Sequence, residues 1–247
     1  MSVLLQAELL KLRTTRTFLA LATLAVGASL LLTGLVAILT EPTRESVLVD
    51  VFASDLSSLF IIVLAVVGIT GEWRHRTITG ALLAEPHRTR FLAAKTIAFA
   101  AAGLVMSVLV SLAVALLAFV ILTARDLPLP GVGELAEHIG RGALIAALLG
   151  AFGVAIGALV RNQVVAIVSL LLLALVVEPA VLALAPEVGR FGPIGALTTA
   201  LSGIPPQDAG LGDVDLVAPG FALLAMLGWI GAAFAAGAAL LRTRDVD

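Results

Sequence analysis

Residues 71–95 read GEWRHRTITGALLAEPHRTRFLAAK, a polar and mostly basic island that carries Arg74, Arg76, Arg88, Arg90 and Lys95. Uncharged runs flank it at 56–71 and 96–124. About 20 consecutive apolar residues span a hydrocarbon core, so the island reads as a short connector between two membrane spans. The cytoplasmic bias of Lys and Arg then places it inside the cell. The orientation of every other loop follows from that assignment.

The composition agrees. Of 247 residues 60% are hydrophobic and 13% charged, with a mean hydropathy of +1.13; a soluble domain of this length needs more charge to cover its surface. Formal net charge is −2, so no global basic field points to nucleic acid. The absence of Cys excludes a disulfide framework, a thiol nucleophile and a thiolate metal site. Lysine occurs only at Lys11 and Lys95 among many arginines, which reads as compositional bias.

Residues 1–16 (MSVLLQAELLKLRTTR) place Val3, Leu4, Ala7, Leu9 and Leu10 on one helical side, with Glu8, Lys11 and Arg16 elsewhere. That is the pattern of an amphipathic helix lying in the interface. A signal peptide fits less well, because Glu8 falls in what would be its basic region and the next apolar run is too long. The fold expected is all-α and polytopic, one transmembrane domain over 1–247. Its six spans are 17–39, 51–71, 96–124, 142–160, 164–184 and 216–241. The interfacial helix precedes them, the second span continues through Asp55, and short interfacial or re-entrant outer helices occupy 179–215. This arrangement puts Lys11, Arg13, Arg16, Arg161, Arg242 and Arg244 on the same side as the basic island, leaving Arg44, Arg125, Arg141 and Arg190 outside. The protein is thus expected in the cell membrane with both termini cytoplasmic.

Few residues carry chemistry. No ionisable side chain falls deep in spans one to four or six, and Glu178 nears the outer end of span five, which argues against an ion-coupled carrier. There is no HExxH, no GxSxG, no intramembrane carboxylate pair and no Walker phosphate loop. His75, His87 and His138 lie in loops without metal-ligand spacing. The chain is therefore expected to be non-catalytic, with no metal or cofactor of its own. Gly150, Gly153 and Gly157 in span four form a small-residue seam for helix packing, within one chain or between two copies. Trp229 falls near mid-span, where it packs against protein or lipid.

Within the island, TITGALLA (77–84) allows about two helical turns, and Pro86 occupies a first helical position ahead of His87, Arg88 and Arg90. A merely solvated loop would not need the apolar residues. A docking helix would, offering Ile78, Leu82 and Leu83 to a cytoplasmic partner, ringed by Glu72, Arg74, Arg76 and Arg88.

Three stretches resemble the ABC-2 type transporter permeases, the integral subunits of ATP-binding-cassette exporters. They are AELLKLRTTRTF with Glu8, Lys11 and Arg13, the 71–95 island itself, and GVAIGALVRNQVVAI at 153–167. The resemblance covers most of the chain, and it implies that Glu72, Arg74, Thr77, Thr79 and Leu82 form a cytoplasmic coupling region within 72–95. Glu8, Lys11 and Arg13 would support that region, and Arg161 would lie nearby. It further implies a separate cytoplasmic ABC ATPase that binds ATP and Mg, and a second permease, identical or related, beside this one in the bilayer. A self-contained secondary transporter and a membrane anchor for a cytoplasmic partner are the alternatives.

Overall fold

The computed structural model describes residues 2–52, 54–160 and 162–243. Among the described residues there is no strand, and six helices are long and apolar enough to cross a bilayer. The protein is an all-α polytopic membrane protein. A short helix α1 (Ser2–Thr14) leads into α2 (Arg16–Leu39). A π-helical turn at Leu48–Phe52 precedes α3 (Ser57–Arg74), and the short α4 (Ile78–Ala84) leads to α5 (Arg88–Ala124). The chain continues through α6 (Val132–Gly157) and α7 (Gln163–Leu172), which a π-helical stretch joins to α8 (Glu178–Leu184). Two further short helices, α9 (Pro186–Gly189) and α10 (Ala196–Ser202), come before α11 (Pro219–Thr243).

The spans alternate in direction, so α1, α4, the start of α5 and the end of α11 share one end of the bundle. We call it the basic end, and the opposite one the far end. Along its apolar part α6 is 61% buried and α3 with its preceding turn 53%, whereas α2, the α7–α8 span and α11 are buried to 22%, 17% and 22%. The centre is thus α3 and α6 with α5 across them, and the rest presents apolar side chains outward. In water such surfaces would drive aggregation; in a bilayer they meet lipid.

Small residues set the central spacing. A Cβ built on Gly150 would stand 2.4 Å from the Phe99 carbonyl oxygen, and one on Gly103 the same distance from that of Ala146. One turn further along α5, Ser107 faces Gly142. Each step of four residues along α5 is therefore matched by four back along α6, which puts the antiparallel backbones in direct contact. Gly153 and Gly157 do the same against α3, where a Cβ would stand 2.7 Å from the Ile62 carbonyl oxygen and 2.4 Å from Ile69 Cγ2. The glycine seam is occupied by the chain's own helices.

Two expectations about helix starts are corrected. The second span does not continue as a helix through Asp55. The carboxylate accepts the Ser57 N–H at 2.8 Å and the Leu56 N–H donates to Ser29 Oγ at 2.9 Å, so local side chains take the backbone donors and start α3 at Ser57. Nor does Pro86 begin a helix. The Glu85 carboxylate accepts the His87 N–H at 3.1 Å, and α5 begins at Arg88.

Helix ends are closed by charge and turn geometry. Arg125 Nη1 donates to the carbonyls of Ala37 at 2.6 Å and Thr40 at 2.8 Å, placing a cation on the carbonyl end of α2. Arg88 does the equivalent for α11 through the Leu241 carbonyl. α3 and α5 both finish with paired six-to-one and five-to-two hydrogen bonds, Thr77 to Glu72 with Arg76 to Trp73, and Leu127 to Leu122 with Asp126 to Thr123. Such closure needs a left-handed residue, here Arg76 and Asp126, each at φ 54°.

At the far end Glu178 turns its carboxylate onto the N–H groups of Ile194, at 3.0 Å, and Gly195, at 2.6 Å. Ala196, Leu197, Ala200 and Leu201 of α10 are buried, whereas Asp208 is exposed. Trp229 Nε1 donates to the Phe191 carbonyl at 2.9 Å, about 15 Å along α11 from its start. The segment between α8 and α11 is therefore folded against the apolar half of α11 instead of lying over it as a polar loop.

Candidate functional site

The most concentrated chemistry lies at the basic end, where α1, α3, the α3–α4 turn and α5 meet. Glu72 is the third-last residue of α3, and its backbone carbonyl already closes the turn by accepting the Thr77 N–H at 3.0 Å. Its side chain repeats that connection, since Thr77 Oγ1 donates to Glu72 Oε2 at 2.6 Å. The other oxygen, Oε1, receives Lys11 at 3.0 Å and Lys95 at 3.1 Å. Glu8 completes the figure: its Oε1 accepts from Lys11 at 2.8 Å and its Oε2 from Lys95 at 2.7 Å. Two carboxylates and two ammonium groups thus alternate around a ring that joins α1, α3 and α5.

The ring is closed to solvent on three of its four members. Glu8 and Glu72 are each 6% exposed and Lys95 2%, while the Lys11 side chain keeps 47%. A charge removed from water persists only when it is paired and its remaining hydrogen-bonding positions are filled. Lys95 meets that condition: its three N–H donors face Glu8, Glu72 and the Gly68 carbonyl at 3.4 Å. A compact ammonium on a flexible stem suits this convergence of single acceptors better than a planar guanidinium. Burial works to lower the Lys11 pKa, but hydrogen bonds and charge attraction from Glu8 and Glu72 outweigh it and hold the group above its ordinary value.

The residues expected to form a coupling region separate into groups. Glu8, Lys11, Glu72 and Thr77 come together in the ring and its closing turn. Arg74 is exposed beside it, donating to Gln163 Oε1 at 3.3 Å at the start of α7. Arg13 and Thr79 are exposed on α1 and α4. The Leu82 side chain and Arg161 lie outside what the structure describes. Gly150, Gly153 and Gly157 line the helix contacts given above, away from the ring.

Three details of the sequence reading change. The protein-facing side of α1 contains Glu8 and Leu12, while Leu10 is 62% exposed, so the charged residue belongs to the packed face and not to the opposite one. The reason is that Lys95 waits on α5 to neutralise it. Ile78 is 3% exposed and anchors α4 to the core, whereas Leu83, at 80% exposure, is offered outward. Arg88, expected among the charges around α4, also reaches α11, where it donates to the Leu241 carbonyl.

Lys95 was missed as a site residue. Its signal was present: the chain uses lysine twice, and both lysines are in the ring. Among the described residues no group of His, Cys, Asp or Glu could hold a metal ion. What the arrangement can do chemically is bind α1, α3 and α5 to one another by charge. No family model matches the chain, and no curated protein matches it.

Proposed function

We propose that this protein is the membrane-spanning permease subunit of an ABC exporter, driven by a separate cytoplasmic ATPase that contacts α4 and α1. The observation that carries the reading is the Glu8–Lys11–Glu72–Lys95 ring, which links the short α1 to the spans α3 and α5, with Thr77 at the start of α4 bound to its Glu72. A partner gripping Thr79 and Leu83 on the exposed side of α4 would move the Thr77 turn, and Glu72 would transmit that displacement to α1 and α5. ATP and Mg would be held by the partner, and this chain would contribute the route and the coupling surface. Energy enters through the partner's different affinity for two arrangements of the bundle.

An ion-coupled secondary transporter is less well supported. Two acids at the far-end edges of the spans are both engaged by protein donors, Asp55 by the Ser57 N–H and the Ser111 hydroxyl, Glu178 by backbone N–H groups. Neither is offered to a cavity as an open carboxylate.

Purification in mild detergent should bring down an ATPase whose hydrolysis the permease modulates. Glu72→Ala and Leu82→Asp should leave the chain in the membrane while abolishing ATP-dependent transport. Transport that follows an ion gradient without any copurifying ATPase would overturn the proposal. A bound ATPase with no transported substrate would reduce the chain to an anchor.

A further inference from the structure

Beside the ion ring lies a cavity of about 700 Å³, within the range of roughly 300–1,000 Å³ typical of small-molecule sites. Its mouth carries the exposed Lys11, Arg74 and His75, and its inner walls include the buried Leu64 and Phe99 with the half-buried Val67. Leu64 is two helical turns from Glu72 on α3, so the apolar part extends about 12 Å from the charged ring toward the middle of the bundle.

The mouth has cationic capacity to spare. Glu8 and Glu72 are balanced by Lys11 and Lys95, which leaves the Arg74 guanidinium in excess. Lys11 uses two of its three donors on Glu8 and Glu72 and remains half exposed. Arg74 is exposed and uses one contact to Gln163. A protein docking from water would meet this mouth, yet it would have no means of filling an apolar shaft two turns deep. An amphiphile has both parts.

We propose that the cavity holds one anionic diacyl lipid drawn from the leaflet that meets α1. Its phosphate lies against Lys11 and Arg74, one acyl chain fills the shaft along Val67, and the other chain stays in the bilayer. The inference needs the chain to be embedded in a bilayer but does not rest on the permease reading. Such a lipid would brace α1 against α3 beside the ring and so adjust how firmly the ring holds.

The test is native mass spectrometry of the full chain in mild detergent. The protein is offered equal amounts of phosphatidylglycerol and phosphatidylcholine with identical acyl chains. One phosphatidylglycerol per chain should be retained, with a preference over phosphatidylcholine of about fivefold for each basic group engaged. Arg74→Gln should reduce that preference about fivefold. Ala7→Trp, which fills the cavity from the exposed side of α1, should abolish the retained lipid, and Val67→Phe repeats that test from α3 should α1 be disturbed. Equal retention of the two lipids, or unchanged retention in both cavity-filling variants, would overturn the proposal. So would displacement of the lipid by inorganic phosphate at equal concentration, because the site would then recognise an anion without its chain.

Discussion

The two ends of the bundle handle buried charge in different ways. At the basic end, charges answer charges: two glutamates and two lysines from three helices satisfy one another, and no helix owns the arrangement. At the far end the buried Glu178 answers backbone, collecting the N–H groups of Ile194 and Gly195, while the exposed Arg125 covers the last carbonyls of α2 as Arg88 covers that of α11 at the basic end. A backbone group is always present and always polar, so the far-end contacts close helix termini and hold the short helices in place. A side-chain ring depends on every member at once. The difference separates contacts that close single helix ends from one that ties three helices together.

The strongest way to break this comparison is to remove the most protected charge. Lys95→Met leaves Glu8 and Glu72 facing Lys11 alone, and unpairing a buried charge of this kind costs about 3–5 kcal/mol. The apparent melting temperature in detergent should fall accordingly. Adding Glu8→Gln should recover at least half of the loss, because the remaining Lys11–Glu72 pair is again neutral. Failure of the second change to restore stability would mean that the ring does not act through its charge balance.

A smaller loss should follow at the far end, with the opposite rule for rescue. Glu178→Ala orphans two half-buried backbone donors, a loss of about 1–3 kcal/mol in all. Glu178→Gln keeps an acceptor in place and should restore most of that, although it removes the charge. Hydrogen exchange at Ile194 and Gly195 reads the effect directly. If Gln behaves like Ala, the far end also depends on charge and the contrast disappears.

The smallest effect sharpens the description of the turn between the ring and α4. Arg76 occupies a left-handed conformation that glycine adopts without penalty. Arg76→Gly should therefore raise stability by up to about 1 kcal/mol while leaving the Glu72–Thr77 contacts intact. A loss of stability would show that the Arg76 side chain has a role besides closing the helix.

Much of the architecture was legible in residue order. The apolar runs were long enough to cross a bilayer, and the basic island between two of them marked the connector that contains α4. Glu8, Lys11, Glu72 and Thr77 were singled out by the family resemblance of the stretches that contain them. Lys95 was not, because seven residues inside an apolar helix a lone lysine reads as the last charge before the membrane. The glycines of α6 were visible as small residues, but their partners Gly103 on α5 and Ile62 on α3 were hidden, since a contact between helices leaves no local pattern.

The sequence by itself determined that this chain is a bundle of apolar helices with a basic connector, because hydropathy and helix length are local properties and a bilayer reads them directly. Only the tertiary structure decided that its two lysines and two of its glutamates form one object. Residues 8, 72 and 95 lie on separate helices, and it is the packing of α1, α3 and α5 that brings their charges within hydrogen-bonding distance and keeps water out.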